Sequence, residues 1–157
     1  MQYAGGFEAR QGGATSSWQR PGQTDTDPGG GAYTRRVRRH VDYALAQRAV
    51  LRDLRAGRLE REDVCDAHPE LLRAGRHIGE AVSRACPVCG RRSLRLVSYV
   101  YGDALARANG RCITSPTELE RLEATHEEFT RYVVEVCLDC HWNYLQRHEL
   151  HGRRHAG

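Results

Sequence analysis

Apolar residues enter this chain late. Residues 1–33 are mostly Gly, Ser, Thr, Gln and Pro without a periodic apolar pattern, which predicts a disordered tail. From Arg35 to Ala56 the pattern changes. Val37, Val41, Ala44, Leu45, Leu51 and Leu54 recur at helical spacing, with Arg35, Arg36, Arg38, Arg39, Arg48, Arg52 and Arg55 between them. That periodicity predicts one long basic amphipathic helix, ended near Gly57. Residues 60–79 predict two short helices around Ala67-His68-Pro69, the second opened by Pro69 and broken at Gly75 and Gly79.

Beyond Gly90 the period shortens. Leu94 to Tyr101 and Thr130 to Val136 are rich in β-branched and aromatic residues and predict two strands. Trp142 to Leu150 predicts a third strand or a closing helix. Between the two strands lies a helical insertion over 103–128. Ser115-Pro116-Thr117-Glu118 reads as a capping box with Pro at the first helical position, and Asp103 to Asn109 reads as a shorter helix. The organisation expected is a tail over 1–33, a helical segment over 34–80, a module over 81–150 and a flexible tail over 151–157.

Composition makes this core thin. Of 157 residues 39% are apolar, with only two Phe and two Trp. A chain so short of large apolar side chains commonly needs a metal or disulfides to hold its fold. All 24 cationic side chains are Arg, a bias that GC-rich coding explains without selection for phosphate contacts. A net charge of +4 is mild for a dedicated nucleic-acid binder. No segment has the signature of a signal peptide or a membrane span, so the expected localisation is cytoplasmic, where thiols stay reduced.

The cysteines then change the picture. Cys86-Pro87-Val88-Cys89 and Cys137-Leu138-Asp139-Cys140 are two Cys-x-x-Cys pairs, the ligand set of a closed tetrahedral site. They predict one structural Zn²⁺ held by Cys86, Cys89, Cys137 and Cys140. The order knuckle, strand, insertion, strand, knuckle is the plan of a zinc ribbon. Its spacer is long: forty-seven residues lie between Cys89 and Cys137, against about 15–20 in the compact pattern. Knuckle backbone N–H groups, with help from Arg91 or Arg92, are expected to temper the charge of four thiolates on one dication.

Other readings of these residues fit less well. Cys137 to His141 matches the c-type haem attachment pattern, but no export signal accompanies it and the first pair is left unexplained. A dithiol redox enzyme built on Cys86 and Cys89 needs a helix after the motif, whereas Gly90 and a strand follow. Cys65 and Cys112 are isolated and read as core thiols, although Cys65 and His68 are spaced to offer a second pair of ligands. His148, His151 and His155 read as a polar tail. No His-Glu-x-x-His, phosphate loop or Ser/His/Asp arrangement is present, so no catalytic constellation and no small-molecule substrate are expected. A partner surface is expected from Arg91, Arg92 and Arg95 beside Tyr99 and Tyr101, which share a strand face with Arg95. Arg35, Arg36, Arg38 and Arg39 form a second such surface.

Several segments in fixed order carry a resemblance. Val41-Asp42-Tyr43-Ala44-Leu45, Val64 to Ala74, the first Cys pair, Leu96 to Gly102, Val133 to Cys137 and Cys140-His141-Trp142-Asn143 together resemble a small actinobacterial family known as a domain of unknown function. The resemblance covers roughly residues 35–150. It implies a cytosolic actinobacterial protein with a zinc-ribbon-like core and brings no activity with it.

The fold class expected is therefore α+β: a zinc-ribbon-like antiparallel sheet with a helical insertion, preceded by the basic helix and two short helices. The expected role is a non-catalytic zinc-binding adaptor or regulator that docks on another macromolecule, leading with a protein of the transcription machinery by fold-level analogy. Direct nucleic-acid binding is the alternative, and a thiol redox enzyme a distant third. No membrane partner is expected.

Overall fold

The computed structural model describes residues 39–152. The tail over 1–33, Arg35, Arg36 and Arg38, and His155 lie outside these residues. Six strands form one antiparallel sheet: β1 (Arg39–Asp42), β2 (Glu80–Ala81), β3 (Leu94–Tyr101), β4 (Cys112–Ile113), β5 (Phe129–Cys137) and β6 (Asn143–His151). Their order is β1-β6-β5-β3-β2, with β4 paired to β3. Among the described residues four α-helices accompany them: α1 (Ala44–Arg55), α2 (Arg61–Val64), α3 (Pro69–Ile78) and α4 (Pro116–Thr125); a 3-10 helix spans Asp103–Ala108. The α+β class and the antiparallel sheet expected from the sequence are present.

The sheet is buried on both faces, which is why its strands lack strict alternation. On one face Val97, Tyr99, Val134, Val136 and Leu145 pack against Leu71 and Leu72 of α3 and against Tyr43. Fully burying one such leucine stabilises the fold by about 1.5–3 kcal/mol. The opposite face has two separate clusters. Leu51 of α1 joins Val64, Leu94, Cys86, Cys137 and Trp142 at one end. Val100, Leu105, Leu119 and Phe129 form the other end under α4 and the 3-10 helix. The insertion thus packs back on the sheet through Leu119, which is fully buried, and does not project from it.

Three boundaries differ from the sequence expectation. The long helix over Arg35–Ala56 is not continuous: Arg39–Asp42 pairs with β6, from Arg39 opposite Leu150 to Asp42 opposite Arg147. Asp42 is the break. Its Oδ1 accepts the Ala44 N–H at 2.6 Å, while the Tyr43 N–H continues the ladder to the Gln146 carbonyl at 2.9 Å. Apolar spacing alone carried the helical period through this aspartate, a residue that favours helix starts.

Gly75 does not break α3 but lies inside it. A Cβ there would meet Val136 Cγ1 at 3.0 Å and Leu138 Cδ2 at 3.1 Å, so glycine lets the helix approach the sheet. Of the two forms expected for 142–150 the strand is present, over Asn143–His151, and His148 and His151 belong to it rather than to a polar tail. β6 carries a bulge opposite Val133 and Val134, which skips Gln146 in the register with β5.

Candidate metal centre

Each Cys-x-x-Cys pair is a tight turn made by the same device. In the first, the Gly90 N–H donates to the Cys86 carbonyl at 2.9 Å and the Cys86 N–H to the Arg91 carbonyl at 2.8 Å. In the second, the His141 N–H donates to the Cys137 carbonyl at 3.0 Å and the Cys137 N–H to the Trp142 carbonyl at 2.8 Å. The residue after the second cysteine is left-handed in both, Gly90 at φ 76° and His141 at φ 68°. Glycine takes that conformation freely, while histidine does so against Cβ sterics.

The sheet brings the two turns together. Leu94, just past the first turn, lies opposite Cys137, and the Leu138 N–H donates to the Ser93 carbonyl at 3.0 Å. The forty-seven residues between Cys89 and Cys137 comprise β3, the insertion and most of β5, and leave this juxtaposition intact. Ser93 Oγ also donates to the Asp139 carboxylate, and Arg91 lies 3.6 Å from the same group.

The result is a tetrad. The sulfurs of Cys86, Cys89, Cys137 and Cys140 all lie within 4.8 Å of one another. The close approaches run between turns: Cys86 Sγ to Cys140 Sγ at 3.6 Å and Cys89 Sγ to Cys137 Sγ at 3.7 Å. A tetrahedron with metal–sulfur bonds of about 2.3 Å has edges of about 3.8 Å, so the donor set fits a metal ion. None of the six cysteines is in a disulfide. Cys86 and Cys137 are buried and the other two are half-buried. Burial pushes the thiols of Cys86, Cys137 and Cys140 up. At Cys89 burial acts the same way, but the Arg91 N–H and the neighbouring sulfurs outweigh it and hold that thiol down. A cation is the group that lets all four ionise together.

Around the tetrad sit groups that the sequence reading missed. Trp142, fully buried, donates its Nε1–H to Glu135 Oε1 at 2.8 Å, and Gln47 Nε2 donates to the same oxygen at 3.3 Å. Arg84 forms an ion pair with the other carboxylate oxygen of this buried glutamate. Glu135 thus ties α1 to the strand that enters the second turn. The one available signal was a glutamate in the apolar run Val133-Val134-Glu135-Val136. Cys65 is half-buried and packs on the same core without joining the tetrad. Hydrogen bonding to the Cys65 and Cys140 sulfurs pushes the Arg61 guanidinium up. The Ala67 N–H donates to the His141 carbonyl at 3.1 Å and Asn143 Nδ2 to Asp66 Oδ1 at 3.0 Å, docking this loop on the second turn. His68 does not join the tetrad; its Nδ1 accepts the Glu70 N–H at 3.2 Å and caps α3. Cys112 is distant in role: it packs on the α3 side, where burial pushes its thiol up.

The expected partner surface on β3 is mostly covered. Arg95, Val97, Tyr99 and Tyr101 do share a face, but α3 lies on it. Tyr99 is 4% exposed, and so offers no stacking surface. Tyr101 is half-buried and meets Tyr132 edge-on at 5.5 Å. Arg95 is half-buried and donates to its neighbour's carbonyl. Arg91 and Arg92 are exposed beside the first turn, where Arg92 Nη1 donates to the Ser83 carbonyl at 2.8 Å. Arg39 is exposed at the start of β1. Among the described residues no helix is long and apolar enough to cross a membrane.

Comparison with known proteins agrees with the resemblance read from the sequence. The model of DUF5318, a family of unknown function, matches residues 34–156. An uncharacterised protein of Mycobacterium tuberculosis is 41% identical over 105 residues, which is 67% of this chain and 76% of that protein. One of Mycobacterium bovis matches to the same extent. No solved structure matches.

Proposed function

This chain belongs to DUF5318, and since that family brings no activity with it, we propose a role from the metal centre: a non-catalytic adaptor whose fold is clamped by one structural Zn²⁺. The observation that carries the reading is four sulfurs within 4.8 Å, supplied by two turns from distant parts of the chain. Four thiolates with no position left for water or substrate make a closed site, which stabilises structure and leaves no open coordination for catalysis. Apparent zinc binding of about 10–16 kcal/mol is large beside the stability of a small domain. The two turns on adjacent strands support the zinc-ribbon comparison, with the insertion folded back on the sheet.

Dithiol chemistry is less well supported. The closest sulfur contacts join different turns, at 3.6 and 3.7 Å, and the first turn runs into a strand rather than the helix that activates such thiols. Stacking of nucleic-acid bases loses support because Tyr99 is covered. A cytoplasmic protein partner, in the transcription machinery by analogy with other bacterial zinc ribbons, remains the role that a rigid, closed module suits. The experiment is elemental analysis of the purified protein beside its Cys86→Ser and Cys140→Ser variants. One zinc per chain, lost in both variants while Cys112→Ala keeps it, supports the reading; zinc retained after loss of either ligand overturns it.

A further inference from the structure

α1 rests on the metal centre with one side and presents an unusual stripe with the other. Its inner side contributes Leu51 to the cluster holding Cys86, Cys137 and Trp142, and Gln47 to the buried Glu135. Leu45, Arg48, Arg52 and Arg55 are all exposed. At 3.6 residues per turn they fall within about 80° of one another, along about 15 Å of helix. Leu45 is 76% exposed, and among the described residues it is the exposed large hydrophobic side chain.

Among the described residues no carboxylate pairs with Arg48, Arg52 or Arg55. The single acid of the helix, Asp53, bonds Arg58 through Oδ1 at 2.6 Å. The cations of the last turn, Arg52 and Arg55, complement the helix dipole. Arg48 and Leu45 lie outside that turn, so the dipole does not account for the stripe.

We propose that this stripe docks an acidic segment of a protein partner, with carboxylates set against Arg48, Arg52 and Arg55 and one apolar side chain set against Leu45. The proposal rests on the adaptor reading and gives it a surface. Charge complementarity selects a polyanion; the exposed leucine at one end selects a protein over a phosphate backbone, which has no apolar group to meet it. The spacing of 3, 4 and 3 residues suits a facing helix with anchors at like intervals. Because the inner side of α1 sits on the cysteine cluster, the metal centre sets the position of the stripe.

The test is selection from a random peptide display library on the full zinc-loaded chain, followed by titration of the selected peptide against variants of verified zinc content. Enrichment of peptides with three carboxylates and one large apolar residue is expected. Affinity should fall with salt, and by about tenfold or more in a triple Arg48→Glu, Arg52→Glu, Arg55→Glu variant. A Leu45→Ser variant should weaken binding several-fold with the salt dependence unchanged. A control reversal of Arg76, Arg107 and Arg121 should leave binding alone. Selection without acidic bias, or affinity unmoved by the stripe reversal, overturns the proposal. So does tighter binding of duplex DNA than of the peptide, or a stripe that instead mediates self-association in sedimentation. A wild-type chain without zinc would sink the metal reading separately, since the stripe and control variants remain comparable wherever circular dichroism shows them folded.

Discussion

The two ends of the β5–β6 hairpin each bury a polar cluster, and they solve the problem of buried charge in opposite ways. At the Cys137 end all four donors become anionic when they ionise, so neutralisation has to come from a cation. At the Phe129 end a carboxylate meets arginines. Fully buried His151 stacks on Phe129 and uses both ring nitrogens, Nδ1 at 2.6 Å from Glu123 and Nε2 at 2.9 Å from Glu149. Glu149 in turn meets Arg131 at 3.2 Å and Arg147 at 2.8 Å, and Arg131 reaches Ser98 Oγ at 3.0 Å. That end closes with its own residues. The comparison teaches that one half of the sheet offers a donor set that calls for a metal while the other closes on internal ion pairs, so the two should fail under different conditions.

The largest effect expected is from Cys137→Ser. It should release the metal and unfold the turns, removing stabilisation drawn from about 10–16 kcal/mol of binding. Hydrogen exchange should show amides of the two turns and α1 opening first, with residues around Phe129 and Leu119 following. Simultaneous loss of protection at both ends would mean that they form one cooperative unit. Chelator treatment should reproduce the same order.

The opposite end should respond to acid. Burial raises the Glu149 carboxyl, but hydrogen bonds from His151 and Arg147 and the charge of Arg131 outweigh it and hold it at about 2, against an ordinary 4.5. A carboxyl depressed in the folded state stabilises fully above its unfolded value. That contribution, about 3 kcal/mol, is lost as pH falls from about 4.5 towards 2. Glu149→Gln should forfeit a similar amount at neutral pH and flatten the acid limb of a denaturation profile with zinc content unchanged. An unaltered acid limb would remove Glu149 from the account.

Two smaller changes sharpen the comparison at the knuckle end. Trp142→Phe removes the Nε1–H donor to buried Glu135 and should cost about 2–3 kcal/mol in chemical denaturation. His141→Gly relieves a left-handed backbone and should stabilise by up to about 1 kcal/mol with metal retained. Destabilisation there would mean that the histidine ring has a contact worth more than the backbone strain.

Legibility in the sequence followed the range of the interaction. Strands over Leu94–Tyr101 and Phe129–Cys137 and the Ser115 cap of α4 were readable because their signals are local. The tetrad was readable because the Cys-x-x-Cys spacing is itself a local turn, repeated, with chemistry that calls for a fourfold set. What escaped was set by pairing at a distance. Arg39–Asp42 looks helical until β6 offers it a ladder. Tyr99 looks like a surface aromatic until α3 covers it. Glu135 looks solvated until strand register buries it beside Trp142, and Glu123 and His151 look solvated until the returning insertion buries them together at the other end. No local pattern announces a buried hydrogen bond whose members lie 28 residues apart, as Glu123 and His151 do.

X-ray absorption at the zinc edge, on protein purified without added metal, tests the central claim most directly. One zinc per chain with four sulfur neighbours at about 2.3 Å is the result expected. A chain without metal, or a metal with fewer than four sulfurs in its shell, would contradict it.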